Sequence, residues 1–328
     1  MLVVKTGNHM IWEIGMERKL VSVLIPCYNE IENVGAISDA IIEQFEKKLP
    51  KYDYEIVFID NYSTDGTREK LSQICAYNKN IKAIFNAKNF GQNNSPYYGL
   101  CQTTGDCTIA MACDFQDPVE LIPRFIEEWE KGYKIVSGIK IGSDESKVLY
   151  FLRSCYYKLI RKMSSVEQIA HFTGYGLYDR SFIDVLRKLD DPMPFLRGIV
   201  AEFGTNRTTV EFHQPERRAG KTHNNWWTLY DIAMLSFTSY TKAGLRFASL
   251  VGFFIAALDL LFAFIYFIAK MIWWEYFPMG TAPLLIGMFF IGAVQLVFIG
   301  LLGEYVMGIN TRVIHRPLVV EEKRINFE

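Results

Sequence analysis

Val21-Ser22-Val23-Leu24-Ile25 is a short apolar run closed by Pro26, and the reading of most of the chain turns on it. A run of that length ended by a breaker is the pattern of a buried strand. It returns at Glu55–Ile59, Ile81–Phe85, Cys107–Met111 and Lys134–Ile139. Helix-length stretches lie between: Glu32–Lys48, Thr67–Asn78, Gln92–Thr103 and Pro118–Lys131. Strands alternating with helices predict right-handed crossovers and an α/β fold with a mostly parallel sheet. Ligands then bind beyond the C-terminal ends of the strands. Polar clusters fall there: Pro26–Glu30, Asp60–Gly66 and Asp114–Asp117.

Two apolar segments follow. Ala282–Leu302 carries no charge, and Leu250–Phe267 is interrupted only by Asp259. Each has the length needed to cross a hydrocarbon core of roughly 30 Å as a helix. Lys242 and Arg246 precede the first, and Arg312, Arg316, Lys323 and Arg324 follow the second, while the connection offers only Lys270. That asymmetry predicts both termini in the cytosol, with Trp273, Trp274 and Tyr276 in an aromatic belt at the far interface. The alternative is a pair of buried core helices. Asp259 is costly in hydrocarbon, so it is expected to face Gln295 or a neighbouring subunit.

Residues 147–163 place Val148, Leu152, Cys155, Tyr156, Leu159 and Met163 at helical spacing among wholly basic charges. That composition suits a helix on an anionic membrane surface, or a core helix with a solvated basic face. Residues 225–242, with Trp226, Trp227 and Tyr230, form a second interfacial candidate. The predicted organisation is a domain over 1–245 including both interfacial helices, a two-helix anchor over 246–308, and a cytosolic tail over 309–328.

At 328 residues the chain accommodates two domains, and 50% hydrophobic content is what two spans require. A net charge of −1 gives no global field for nucleic acid. Six cysteines without a C-x-x-C pair read as reduced, buried thiols. Glu13 and Glu17 stand where a signal peptide would need an apolar core, so the N-terminal domain is expected in the cytosol. Familiar motifs fail: Gly174-x-Gly176 meets Asp179 where a dinucleotide fingerprint needs a third glycine, and Gly220-Lys221-Thr222 has Pro215 at the required first glycine.

What remains is an acidic set at the strand ends. Asp60, Asp65, Asp114 and Asp117 can bind ribose or base hydrogen-bonding groups, or hold a divalent metal against a diphosphate. Asp65 also suits an Asx turn, and Asp117 before Pro118 suits a helix cap. Asp114 has the weakest structural excuse, and Gln116 offers an amide oxygen beside it.

Val21–Glu30, Phe58–Thr67 and Asp114–Pro118 resemble the motifs of family 2 glycosyltransferases with a GT-A fold. The two apolar segments, followed by Gly303-Glu304-Tyr305 and His315-Arg316-Pro317, are similar to those of bacterial polyprenyl-phosphate glycosyltransferases, relatives of dolichol-phosphate mannose synthase and the bactoprenol glucosyltransferases. The resemblance spans about Lys19 to Phe327. It implies a membrane-bound, inverting enzyme of the bacterial cytoplasmic membrane. One sugar would move from a nucleotide-diphosphate donor, a UDP-linked hexose, to undecaprenyl phosphate, for modification of cell-envelope glycans such as lipopolysaccharide. It further implies Mg²⁺ or Mn²⁺ held by Asp114 and Gln116, and donor binding by Pro26, Tyr28, Glu30, Asp60, Asp114 and Gln116. Asp179 matches the family's base, joining Asp114 as catalytic. A homo-oligomer is expected, a flippase is a candidate partner, and nucleic acid is not one.

The basic loop Arg217-Arg218-Ala219-Gly220-Lys221 makes sense without the family. A lipid phosphate needs cations near the bilayer, and arginine meets it bidentately. Arg217, Arg218 and Lys221 are therefore expected on the acceptor phosphate; a solvated charge run is the alternative. His171 falls in the segment near the acceptor in relatives, or is a satisfied core histidine. The chain departs from the family at Ala112, where an aspartate is usual, at Asn61-Tyr62, and at His223. Ala112 supports a rival reading, a non-catalytic membrane adaptor. A processive polysaccharide synthase would carry Q-x-x-R-W, and Gln214-Pro215-Glu216-Arg217-Arg218 lacks the tryptophan.

Overall fold

The computed structural model describes residues 18–141, 171–189, 191–215, 281–314 and 316–327, with Ile169, Met234 and scattered positions from 250 to 272. The chain divides into two compact units: Met1–Asp144 with Ile169–Thr222 and Pro317–Glu328, and Glu145–Gln168 with His223–Arg316.

The first unit is built on one eight-stranded sheet. β1 (Leu20–Cys27), α1 (Val34–Lys48), β2 (Asp53–Asp60), α2 (Thr67–Tyr77), β3 (Ile81–Asn86), α3 (Gly91–Gln102) and β4 (Cys107–Ala110) alternate as expected. A 3₁₀ turn (Val119–Leu121) leads into α4 (Ile122–Glu130) and β5 (Ile135–Lys140). Then come β6 (Phe172–Asp179), α5 (Arg180–Leu189), α6 (Leu196–Phe203) and β7 (Arg207–Phe212). The strand order is β7-β5-β6-β4-β1-β2-β3-β8, in which only β6 and β8 (Glu321–Ile325) run against the rest. This is an α/β fold with a mostly parallel sheet.

The strands are continuous apolar runs because both faces are covered. Along β1, Val21, Val23 and Ile25 pack with Ile37, Phe45, Leu71 and Phe125 of α1, α2 and α4. Leu24 faces the other side, with Tyr97 and Leu100 of α3, Ile183 of α5 and Ile199 of α6. α3 comes so near the sheet that a Cβ on Gly99 would lie 2.7 Å from a Leu24 methyl. Glycine is what permits that approach.

The segment read as a tail, 309–328, supplies more than a tail. Its β8 pairs antiparallel with β3 and covers that edge. Asn326, at φ 62°, fastens it by donating from Nδ2 to the carbonyls of Cys75 and Ile81, both at 2.7 Å. Arg324 donates to Gln102 at 2.7 Å and to Tyr98 at 3.2 Å on α3.

In the second unit, α7 (Thr281–Val313) contains the uncharged run seen in the sequence. Its stretch Phe290–Asn310 is, among the described residues, the one helix long and apolar enough to cross a membrane. Among its described side chains, Leu296, Val297 and Ile299 are 64–70% exposed. The first expected span is described only in part, and Asp259 lies outside the described residues; the described positions from 250 to 272 are helical. The interfacial helices 147–163 and 225–242 also lie outside them, apart from Met234.

Candidate active site

The C-terminal ends of β1, β2 and β4 meet at one edge of the sheet. Cys27 is in register with Asp60, and Leu24 with Ala110. The loops after β1 and β2 are laced together. Asn29, at φ 56°, donates its N–H to Ser63 Oγ and accepts at Oδ1 from the Thr64 N–H, each at 2.8 Å. Glu30 donates its N–H to Thr67 Oγ1 at 2.9 Å. Asp65 accepts from the Ile31 N–H at 3.1 Å and the Thr67 N–H at 3.0 Å, so it is the turn that opens α2. This frame leaves Pro26, Tyr28 and Glu30 half-buried at the rim, with Asn33 donating to the Glu30 carboxylate at 2.6 Å.

Asp60 is wholly buried beneath that frame. Its carboxylate accepts from the Ser63 N–H at 3.2 Å and pairs with Arg68 Nε at 3.3 Å. Burial still pushes its carboxyl above the ordinary range, against those hydrogen bonds and the Arg68 charge. Asn61 is a structural hub, accepting from the Phe90 N–H at 2.9 Å and Asn86 Nδ2 at 3.1 Å while donating to Asn89.

At the end of β4, Asp114 is buried and its carboxylate accepts from the Gln116 N–H at 3.1 Å across Phe115, which sits at φ 61°. Asp117 does not cap a helix. Its carboxylate turns back to accept from the Ala112 N–H at 2.8 Å, and the Pro118 end of the following turn has no side-chain cap. Burial, with the nearby Asp114 charge, pushes the Asp117 carboxyl up to about 7. Among the described residues no three His, Cys, Asp or Glu side chains form a cation cage. The Asp114 and Asp117 carboxylates share this loop with Gln116, and Ala112 brings no side-chain oxygen to it.

Asp179 is not part of this site. It ends β6, and because β6 runs antiparallel to β4 it stands in register with Cys107, the first residue of β4. There its carboxylate accepts from Trp129 Nε1 at 2.8 Å, the Ser181 N–H at 3.0 Å and Lys134 Nζ at 3.1 Å, opening α5. The other end of β6 is the one that reaches the site. His171, half-buried at φ 58° rather than enclosed in the core, accepts from the Lys140 N–H through its carbonyl at 3.4 Å. Tyr175 donates its hydroxyl to the Pro118 carbonyl, tying β6 to the Asp114–Asp117 loop. Arg217, Arg218, Lys221 and His223 lie outside the described residues. Arg68 was not singled out from sequence; its signal was a lone cation two residues past the Asp65-Gly66 turn, below an anionic strand end.

The Glycosyl transferase family 2 profile matches residues 22–186, which covers β1 through the middle of α5. The bactoprenol glucosyl transferase of Shigella phage SfX is 30% identical over 306 residues, 93% of this chain and 99% of its own length. The prophage bactoprenol glucosyl transferase homolog of Escherichia coli K12 is 30% identical across 87% of this chain and 93% of its own. Among solved structures, the mannosyltransferase PcManGT from Pyrobaculum calidifontis, in complex with GDP-Man and Mn²⁺, is 18% identical over 68% of this chain and 64% of that one, with a TM-score of 0.47. The chain belongs to glycosyl transferase family 2 and is a glycosyltransferase.

Proposed function

We propose that this enzyme transfers one hexose from a UDP-linked donor to undecaprenyl phosphate at the bacterial cytoplasmic membrane. The observation that carries the reading is the match to a bactoprenol glucosyl transferase along 99% of that relative. The exposed apolar surface of α7 supports a lipid setting, and the basic residues flanking the two apolar segments favour the cytosolic side for the catalytic unit and both termini.

The chemistry follows from the strand-end site. The Pro26–Glu30 and Asp60–Gly66 loops hold the nucleotide, and the Asp114–Asp117 loop faces its diphosphate. A lipid phosphate oxygen attacks the anomeric carbon, its bond to the diphosphate oxygen breaks, and the nucleoside diphosphate leaves with that electron pair. One displacement inverts the centre. The acceptor needs no base, since a phosphate monoester has a second pKa near 6 and is mostly dianionic at neutral pH. Arg217, Arg218 and Lys221 are assigned to that phosphate.

Asp114 with Gln116 fits a Mg²⁺ or Mn²⁺ ion of the kind bound by one or two carboxylates plus substrate phosphates. When bound, the ion neutralises charge building on the departing diphosphate. Ala112 removes one family carboxylate, so Asp114 and Gln116 would hold such an ion together with the donor diphosphate.

The test is release of nucleoside diphosphate upon adding undecaprenyl phosphate, across UDP-glucose, UDP-N-acetylglucosamine, UDP-galactose and GDP-mannose. Acceptor-dependent release with one donor is expected. Release with none of them favours the adaptor reading, and extension beyond one sugar favours the processive synthase.

A further inference from the structure

Arg68, in the first turn of α2, lies between carboxylates from two distant parts of the chain. Its Nε is 3.3 Å from Asp60 Oδ2 at the end of β2, and its Nη2 donates to Glu322 Oε2 on β8 at 2.8 Å. The guanidinium also lies over the rings of Phe85 at 5.2 Å and Tyr62 at 5.8 Å. Tyr62 is held at φ 72°, a left-handed conformation unusual for a bulky residue, and is 43% exposed at the rim. One cation therefore ties together β2, the Asp60–Gly66 loop, β3 and the C-terminal strand.

We infer that Glu322 is a positioning residue for the nucleotide end of the donor site, holding Arg68 against Asp60 so that the segment after α7 completes that site. The inference rests on the donor reading of the β1 and β2 strand ends. An arginine with one carboxylate partner can rotate its planar fork toward solvent or toward a donor phosphate. A second carboxylate on a separate strand fixes the plane. The contact is unequal in exposure: 22% of the Arg68 side chain and 54% of Glu322 are open to solvent. The pair therefore works by orientation more than by binding strength. β8 is the first strand after α7, with residues 314–320 between them.

The test uses the full-length protein in lipid nanodiscs, with UDP titrated by calorimetry and initial rates measured with UDP-glucose and undecaprenyl phosphate. Glu322→Gln should raise the donor KM about two- to fivefold, the size of one exposed charge pair, with kcat and acceptor KM unchanged. Glu322→Lys should move it further the same way. The gap between wild type and Glu322→Gln should shrink at about 0.5 M salt, where exposed charges are screened. Arg324→Ala removes other β8 contacts and leaves the Arg68 pair, so its donor KM should match wild type. An unchanged donor KM and UDP affinity in Glu322→Gln overturns the inference. An equal rise in Arg324→Ala does so too, because β8 docking alone would then explain both. Failure of the wild-type protein to bind any nucleoside diphosphate removes the donor reading itself, and the inference with it.

Discussion

Asp179 stands opposite Cys107 at the first residue of β4, whereas Asp114 lies beyond the last residue of that same strand. At about 3.3 Å per residue the backbone of β4 from Cys107 to Ala110 spans about 10 Å, and the two aspartates lie at its opposite ends. No single substrate group bridges that distance, and Asp179 is already occupied by Trp129, Lys134 and Ser181.

Asp179→Asn should therefore act on stability, costing ~1–3 kcal/mol through its lost charged hydrogen bonds, with kcat of the folded enzyme unchanged. Burial works to raise this carboxyl, but donation from Ser181, Trp129 and Lys134 outweighs it and holds it low. A depressed folded value means the stabilisation is present above the unfolded pKa of about 3.9 and is lost as pH falls through the folded one. The melting-temperature gap between wild type and variant should close in acid. A collapse of kcat with an unchanged melting temperature would return Asp179 to the chemistry.

Asp117 has the opposite sign. Its carboxyl is pushed up to about 7, so the folded state is penalised progressively as pH rises from the unfolded value, about 4, through 7. Asp117→Asn keeps an acceptor for the Ala112 N–H and removes the buried charge. In chelator, the melting temperature of the variant relative to wild type should climb from pH 4 to pH 8. A flat difference over that range would contradict the burial argument.

The catalytic unit needs its C-terminal strand. Truncation after Thr241 removes β8 and the buried Val319, and uncovers β3. That fragment should aggregate or melt well below the parent, because an open apolar edge templates pairing. Joining residues 317–328 back through a linker should restore solubility and nucleotide binding. Equal stability of the two fragments, measured by thermal unfolding, would make β8 dispensable.

Arg217→Ala and Lys221→Ala should raise the KM for undecaprenyl phosphate about 10- to 150-fold, the range of a charged hydrogen bond, with little change in donor KM. Steady-state kinetics with each substrate varied separately checks this. An effect confined to the donor would place the loop on the diphosphate.

The parallel half of the fold was legible because strands buried on both faces must be apolar throughout, and β1 to β5 are found within about two residues of the runs that predict them. β6 was not read as a strand because Gly174 and Gly176 interrupt it. Gly176 is required by packing, since a Cβ there would lie 2.4 Å from the Val136 carbonyl. That same strand misplaced Asp179: a motif gives a residue's order in the chain, not the direction of the strand that carries it. β8, Glu321-Glu322-Lys323-Arg324-Ile325, is an edge strand stabilised by charge and has no apolar signature. Asp65 behaved as the turn its sequence allowed, while Asp117 bonds backward to Ala112, a contact no capping rule anticipates.

The most direct measurement is transfer of labelled sugar from UDP-glucose, or whichever donor supports turnover, into organic-extractable lipid by membranes carrying the full chain. Undecaprenyl phosphate and Mg²⁺ or Mn²⁺ are supplied, and Asp114→Ala is run alongside. The expected result is one labelled polyprenyl-phosphate hexose in the β configuration, abolished by chelator and reduced about 100-fold or more in Asp114→Ala, which is ~2.7 kcal/mol of barrier. Labelled lipid that forms equally well without undecaprenyl phosphate, or at full rate with Asp114→Ala, would contradict the account.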